Sequence, residues 1–153
     1  MLHPVPVIQL SRVTAADAEA LAALRVEAMR ESLEHLGRFD PVRARERFLS
    51  GFVPEYTHHV LLNGSRVGFV VVKRSEQDLL LDHLYVHPNH QNKRIGAAVL
   101  QHVFAEADAA GLPVRVGALR GSASNRFYAR HGFVEVEQGE FDNYYVRPGH
   151  NAL

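Results

Sequence analysis

The chain of 153 residues contains no cysteine. This absence excludes disulfide bonds, thiolate metal ligands and a cysteine nucleophile. The chain also has no excess of charge of either sign, since 17 Lys and Arg residues balance 17 Asp and Glu residues. We therefore expect no general attraction to nucleic acid or to an anionic membrane surface. The apolar runs, such as Val67–Val72, are far shorter than the about 20 residues that a membrane span requires.

The N-terminal segment, MLHPVPVIQL, has no basic stretch followed by an apolar run and a cleavage site. We therefore expect no secretory signal peptide. The composition, with 46% hydrophobic and 22% charged residues, is typical of globular proteins, and the length is sufficient for one self-contained core. These features predict a single domain over residues 1–153 that is soluble and cytoplasmic.

The hydrophobic pattern predicts an α/β domain (α+β by some schemes) with the element order β-α-α-β-β-β-α-β-α-β-β. Val5–Arg12 alternates beside two prolines, which favours an edge strand. The Asn63-Gly64 pair predicts a tight hairpin, and the apolar run Leu79–Val86 is typical of a central strand. We expect a mixed central sheet of six to seven strands flanked by about four helices. The other predicted strands are 58–62, 66–73, 114–119, 134–136 and 144–146, and the helices lie at 14–37, 41–51, 95–110 and 122–131.

The most informative segment joins the strand Leu79–Val86 to the helix that begins near Ile95. The first N–H groups of a helix lack internal partners, and the helix dipole places about half a positive charge there. Lys93 and Arg94 add side-chain charge, and Gly96 leaves room for a ligand to approach the main chain. The segment therefore predicts a phosphate site, with an ordinary solvated helix start as the alternative.

Two motifs in this region resemble those of the GNAT superfamily of acyl-CoA-dependent N-acyltransferases. The first family motif is Gln/Arg-x-x-Gly-x-Gly/Ala after a strand that often ends Leu-Tyr-Val-x-Pro, and Gln91, Gly96 and Leu84–Pro88 match it. Arg94 stands where the first glycine is usual, which costs roughly 1–2 kcal/mol if the position needs a positive φ. The second motif, Arg120–Phe133, is similar to the family's short helix with Phe-Tyr followed by Gly-Phe.

The resemblance implies acetyl-CoA as co-substrate and no metal. The pantetheine arm would pair with main-chain groups of Leu84 and Val86, and an N–H near Leu84 or Tyr85 would polarise the thioester carbonyl. Asn125 would reach the pantetheine. The pyrophosphate would lie on the amides of Gln91, Asn92, Lys93, Arg94, Ile95, Gly96 and Ala97.

Three residues are candidates for the proton transfers of such a reaction. The resemblance implies that Tyr128 acts as general acid near the sulfur, with packing of the ring as the alternative. The amine, with an ordinary pKa of about 10.4, must lose a proton to a base. Asp82 is the first candidate because it shares strand parity with apolar residues such as Leu84, and His83, on the opposite face, is the second. For each of these two the alternative is a structural hydrogen bond.

The remaining polar residues predict no metal site. The chain has ten histidines, but the adjacent His58 and His59 would point to opposite faces of a strand, and no Glu-x-x-His spacing occurs around His83, His87 and His90. The resemblance implies an acceptor pocket around the first two helices and near the C-terminus. For its candidate residues the alternatives are solvated helix faces or core packing. These residues are Glu31, Glu34, His35, Arg38, Asp40, Tyr144 and Tyr145.

The resemblance therefore implies direct acetyl transfer from acetyl-CoA to a primary amine in a ternary complex, without a covalent acetyl-enzyme. The expected partner is a small-molecule or peptide amine, with neither nucleic acid nor membrane as a partner. By analogy with the family we also expect a homodimer formed through the C-terminal strands. Two alternatives remain. The first is a catalytically silent acyl-CoA-binding sensor of the same fold, because Arg94 replaces the usual glycine of the motif. The second is an interaction domain that binds no CoA.

Overall fold

The computed structural model describes residues 4–149, and within them it forms seven β-strands, four α-helices and three short 3-10 helices. The observed α/β class and element order confirm the prediction. In chain order the strands and α-helices are β1 (Gln9–Arg12), α1 (Ala18–His35), α2 (Pro41–Gly51), β2 (Thr57–Leu62), β3 (Ser65–Arg74), β4 (Leu79–Val86), α3 (Ile95–Ala110), β5 (Val114–Leu119), α4 (Ser124–Arg130), β6 (Val134–Gln138) and β7 (Asp142–Arg147).

The seven strands form one mixed sheet in the order β1-β2-β3-β4-β5-β7-β6. β4 and β5 are parallel, because α3 carries the chain back across the sheet between them, whereas β7 is antiparallel to both of its neighbours. β1 lies at the edge, as its prolines predict, but it starts at Gln9 and is shorter than expected. β4 occupies the central position that its apolar run predicts.

Local sequence signals explain several boundaries. Asn63 and Gly64 have φ values of 52° and 82°, as a two-residue turn with left-handed backbone requires between β2 and β3. Asp40 begins α2 by accepting a hydrogen bond from the main-chain N–H of Arg43 at 3.1 Å, and Pro41 follows at the first helical position. The fourth helix also starts later than predicted, since α4 begins at Ser124 and not at residue 122.

The structure divides into two compact units, of which the first runs to Val71 and resumes over His83–Val99. Its core contains an aromatic cluster in which the ring of Phe48 on α2 lies 5.3 Å from that of Phe69 on β3. The buried residues of this core are Val13, Leu21, Ala22, Phe48, Phe69 and Val71, and the partly buried Leu24, Leu49, Phe52 and Tyr85 pack against it.

The second unit comprises Val72–Asp82 and the chain from Leu100 onward. Its buried apolar residues include Leu79 and Leu81 on β4, together with Leu100, Val103, Ala107, Val114, Val116, Ala118, Tyr128, Phe133 and Tyr145. None of the helices in residues 4–149 combines the length and the apolar character that crossing a membrane would require.

Candidate active site

The parallel ladder between β4 and β5 is short. It pairs Leu79, Leu80 and Leu81 with Val114, Arg115 and Val116, whereas β4 continues to Val86 and β5 to Leu119. The main chain of Leu84 and Val86, which the sequence predicts to hold pantetheine, therefore lies in the part of β4 beyond this ladder.

Gly68 of β3 lies against the main chain of β4 at Tyr85. A β-carbon on Gly68 would overlap the carbonyl oxygen of Tyr85 and would come within 3.2 Å of the Cα atom of Val86. These are main-chain atoms, which cannot rotate away as the end of a side chain can, so only glycine permits this approach. The N–H of His87 donates to the carbonyl of Val67 at 2.8 Å and holds the end of β4 in place. Gly68 is not among the residues that the sequence predicts for the site, although a glycine inside an apolar strand is a recognised signal of close main-chain approach.

The loop that follows β4 is held by hydrogen bonds among its own residues. The side-chain amide of Gln91 donates to the carbonyl of Val86 at 3.1 Å. Nδ1 of His87 accepts a hydrogen bond from the N–H of Asn89, also at 3.1 Å. The side chain of Gln91 thus positions the loop, and its main-chain N–H donates to the carbonyl of Pro88 at 3.4 Å. The contact of this N–H with phosphate stays a prediction.

The backbone at the start of α3 is strained at Arg94, the residue that occupies the usual glycine position of the family motif. Arg94 has a φ of 62° and Asn92 a φ of 65°, so both residues adopt the left-handed conformation. Asparagine tolerates this conformation, but arginine pays roughly 1–2 kcal/mol for it. The first internal bond of α3 joins the N–H of Ala98 to the carbonyl of Arg94 at 3.1 Å. The N–H groups of residues 95–97 therefore point out of the helix start, in the arrangement that binds anions.

His83 and Tyr85 of β4 belong to the aromatic cluster of the first unit. The ring of His83 lies 5.8 Å from that of Phe48 and 5.6 Å from that of Tyr85. The ring of Tyr85 lies 5.5 Å from that of Phe69, and its hydroxyl is 3.5 Å from Nδ1 of His83. The imidazole is therefore half-buried among aromatic rings on the face that α2 covers.

Asp82 lies in a different environment from the one predicted. Its side chain is 34% exposed and forms a 3.1 Å ion pair with the ammonium group of Lys73 on β3. The expectation of a carboxylate on an apolar face was wrong because a lysine on another strand supplies the opposite charge. An ion pair this exposed contributes at most about 1 kcal/mol to stability. The catalytic role of Asp82 stays a prediction.

In the second unit, Tyr128 is packed among aromatic side chains. It is 6% exposed, and its ring lies 5.3 Å from that of Phe127 and 5.2 Å from that of Phe133. This packing matches the structural alternative that the sequence analysis left open. The general-acid role of Tyr128 stays a prediction.

Asn125 connects α4 to two strands of the second unit. Its Nδ2 donates to the carbonyl oxygens of Leu119 at 2.9 Å and Ser122 at 3.0 Å. Its Oδ1 accepts hydrogen bonds from the hydroxyl of Tyr145 at 2.8 Å and from the amide of Asn143 at 3.0 Å. Burial raises the pKa of Tyr145, which keeps its hydroxyl protonated as a donor. All four hydrogen-bonding positions of the Asn125 amide are used, so a contact with pantetheine would replace one of these bonds.

The residues predicted for an acceptor pocket have several separate roles. Glu34 pairs with Arg30 along α1, Asp40 caps α2, and Tyr144 is 41% exposed. Over residues 4–149, no three His, Asp or Glu side chains converge as metal ligands would. One of the histidines considered for metal binding, His59, is buried and instead contacts a carboxylate oxygen of Asp17 at 3.2 Å.

A family model for the acetyltransferase (GNAT) domain matches residues 54–135, which is more than half of the chain. The chain therefore belongs to the GNAT acetyltransferase family. This match confirms the resemblance drawn from the two sequence motifs. A search of curated proteins found no match.

Solved acetyltransferases share the fold over nearly the whole chain. The PaiA N-acetyltransferase of Thermoplasma acidophilum, solved in complex with coenzyme A, is 16% identical and has a TM-score of 0.75, with 93% of this chain and 99% of that chain covered. An acetyltransferase of Thermus thermophilus is 21% identical, with a TM-score of 0.72 and coverages of 94% and 98%. The ribosomal-protein-S18-alanine N-acetyltransferase of Escherichia coli is 17% identical, with a TM-score of 0.66 and coverages of 92% and 91%. At these identities the likeness shows the fold.

The left-handed backbone at Arg94 predicts that Arg94→Gly is more stable than Arg94→Ala. Both variants lose the arginine side chain, but only glycine adopts the positive φ without a strain of roughly 1–2 kcal/mol. Glycine also has a greater conformational entropy in the unfolded state, which reduces this gain in stability by about 0.5–1 kcal/mol. We expect the free energy of unfolding of Arg94→Gly to exceed that of Arg94→Ala by up to about 1.5 kcal/mol, measured by urea denaturation. An Arg94→Gly variant that is less stable than Arg94→Ala by about 0.5–1 kcal/mol, the entropic cost of glycine alone, would show that the left-handed backbone stores no strain.

Proposed function

We propose that this chain transfers an acetyl group from acetyl-CoA directly to a primary amine. The observation that carries the proposal is the start of α3, where the outward N–H groups of residues 95–97 follow the left-handed turn at Arg94. Membership of the GNAT acetyltransferase family supports acetyl transfer as the activity. The amine acceptor and the roles of individual residues are part of the proposal.

The residues at the start of α3 suit the pyrophosphate of coenzyme A. The N–H groups of residues 95–97 carry the positive end of the helix dipole, and the side chains of Lys93 and Arg94 add full positive charges. The buried side chains of Ile95 and Ala97 hold the helix start in position. A related structure of the same fold is described as a complex with coenzyme A, which contains a pyrophosphate.

We assign the amides of the pantetheine arm to main-chain groups of Leu84 and Val86. The carbonyl of Val86 already accepts a hydrogen bond from Gln91, but a carbonyl oxygen can accept two. Bound acetyl-CoA would supply a thioester, and a main-chain N–H at Leu84 or Tyr85 would stabilise negative charge on its carbonyl oxygen. Such a donor must be held rigidly, and the close approach of Gly68 to Tyr85 restrains the main chain at this point.

For the proton acceptor we place His83 ahead of Asp82. The aromatic rings around His83 exclude water from one side of the imidazole, whose ordinary pKa is close to neutral. Freeing an alkyl amine of its proton at pH 7 costs about 4–5 kcal/mol, so a positioned base is needed. His83 would take that proton, and the hydroxyl of Tyr128 would give one to the sulfur as the C–S bond breaks.

A homodimer formed through the C-terminal strands remains part of the proposal. β6 forms an edge of the sheet and is exposed along its whole length. Val134 and Val136 on this strand are 58% and 59% exposed, and exposed apolar edge strands favour pairing with another chain. A monomer at all concentrations in light scattering would contradict this part.

The binding of acetyl-CoA is tested by calorimetric titration of the wild-type protein and the Gly96→Trp variant. We expect micromolar or tighter binding that Gly96→Trp weakens by at least about 100-fold, because a large side chain would fill the space for phosphate at the helix start. Gly51→Trp is the matched control, since Gly51 ends α2 with open space around it, and it should bind as the wild type does.

Absence of binding by the wild-type protein would contradict the proposal and would favour an interaction domain. Binding without transfer to any amine would favour the acyl-CoA sensor. Measuring release of the CoA thiol against a broad panel of amines separates these two outcomes.

The assignment of the base predicts different effects for two neighbouring variants. With the best amine of the panel, His83→Gln should lower kcat by about 100-fold or more and should remove the rise of the rate with pH, because general bases contribute about 10²–10⁴-fold. Asp82→Asn, which removes the negative charge that pairs with Lys73, should stay close to the wild-type rate. A large loss of kcat in Asp82→Asn, with little change in His83→Gln, would assign the role of general base to Asp82.

A further inference from the structure

Arg25 is a buried cation that the described part of the chain leaves without an anion. It lies on α1 and is 8% exposed. Its Nη1 donates to the main-chain carbonyl of Ala44 at 2.7 Å. Its Nε is buried and has no hydrogen-bond partner, and no Asp or Glu within residues 4–149 forms an ion pair with it.

Burying the guanidinium of Arg25 without a negatively charged partner is unfavourable in free energy. Buried charged groups are almost always paired, and one bond to a neutral carbonyl offsets only part of the loss of hydration. Arg30 lies about one and a half turns further along the same helix and has an ordinary environment for an arginine, since its side chain is 43% exposed and pairs with Glu27 at 2.9 Å. An apolar side chain at position 25 would fill the same space without an unpaired charge.

The guanidinium of Arg25 lies at the face of β4 where we place the proton acceptor. Its central carbon is 5.9 Å from the centre of the Tyr85 ring, and that ring is 5.6 Å from the ring of His83. Tyr85 and His83 are half-buried, so this part of β4 is partly open to solvent. All three residues belong to the first unit.

We propose that Arg25 binds a carboxylate of the acceptor, so that the acceptor is an amino acid or a related molecule that carries both an amine and a carboxylate. Nη1 is engaged by Ala44, which leaves the edge of the guanidinium that contains Nε for the two carboxylate oxygens. The inference rests on the proposed acetyl transfer, and it narrows the acceptor class of that same site.

The test compares amines in pairs that differ only in the carboxylate, such as phenylalanine beside phenethylamine and lysine beside cadaverine. For the preferred pair, the wild-type protein should show a kcat/KM at least about 100-fold higher for the carboxylated member, since truncating one partner of a buried charge pair has effects of this size. Arg25→Met should reduce that preference to near unity and leave the affinity for acetyl-CoA unchanged. Arg25→Lys should be intermediate, because a point charge cannot replace the planar fork.

Arg30→Met is the matched control, since it removes an exposed arginine of the same helix and should keep the wild-type preference. Equal rates for both members of every pair in the wild-type protein would overturn the inference, as would a preference that survives in Arg25→Met. If Arg25→Met fails to fold, equal rates in the wild-type protein still overturn the inference, and an intermediate preference in Arg25→Lys still supports it.

A second measurement separates this inference from the proposed function. The carboxylated member of the preferred pair is added to the protein without acetyl-CoA, and the melting temperature is recorded. If no transfer occurs with any pair, the carboxylated member of every pair is tested in the same way. A rise in the wild-type protein that is absent in Arg25→Met supports the carboxylate site even if no acetyl transfer is found. No rise with any carboxylated amine, together with transfer to simple amines, would refute the site and leave the proposed function standing.

Discussion

At Gly68 the main chain of β3 comes so close to the carbonyl of Tyr85 on β4 that no side chain fits between them. This approach fixes the course of the last residues of β4. Those residues carry His83 and Tyr85 into the aromatic cluster, and they lead into the loop that ends at the start of α3. A β-carbon at position 68 would displace the strand that leads into the loop and that carries the proposed thioester contact and the proposed proton acceptor.

Two arginines of the first unit occupy settings that are unfavourable for an arginine. Arg94 holds a left-handed backbone where glycine would be unstrained, and Arg25 is buried without a carboxylate partner among the described residues. Proteins keep such local costs where a site requires them, and the surrounding packing supplies the stability. Arg94 places positive charge at the helix start proposed to bind phosphate, and Arg25 places positive charge beside Tyr85, near the proposed proton acceptor. Anionic groups on both substrates would account for both.

Most of the fold follows from local signals in the sequence. The bounds of β4, α3 and β5 agree with the predicted ranges because a proline, a glycine or a turn pair lies next to each of them, and such residues interrupt regular structure through their own backbone preferences. The start of α3 at Ile95 agrees with the predicted range, and the binding of phosphate there is part of the proposal. β1 was predicted too long because alternation alone does not show where a pairing partner ends.

The parts of the site that the sequence did not show depend on residues far apart in the chain. Asp82 was expected on an apolar face, and its partner Lys73 lies on another strand. Arg25 is notable only because Ala44 and Tyr85 surround it, and Gly68 only because Tyr85 lies against it. The hydrogen bonds of Asn125 to Asn143 and Tyr145 likewise join residues of different elements. Pattern and spacing carry no information about such contacts until the fold brings them together.

Hydrogen–deuterium exchange of the main-chain amides, measured with and without saturating acetyl-CoA, tests the central claim most directly. The N–H groups of residues 95–97 lie before the first helical hydrogen bond of α3, so they should exchange quickly in the free protein. If phosphate binds there, acetyl-CoA should slow their exchange strongly and leave α2 unchanged. Tight binding of acetyl-CoA with unchanged exchange at residues 95–97 would place the cofactor elsewhere and would contradict the assignment of this helix start.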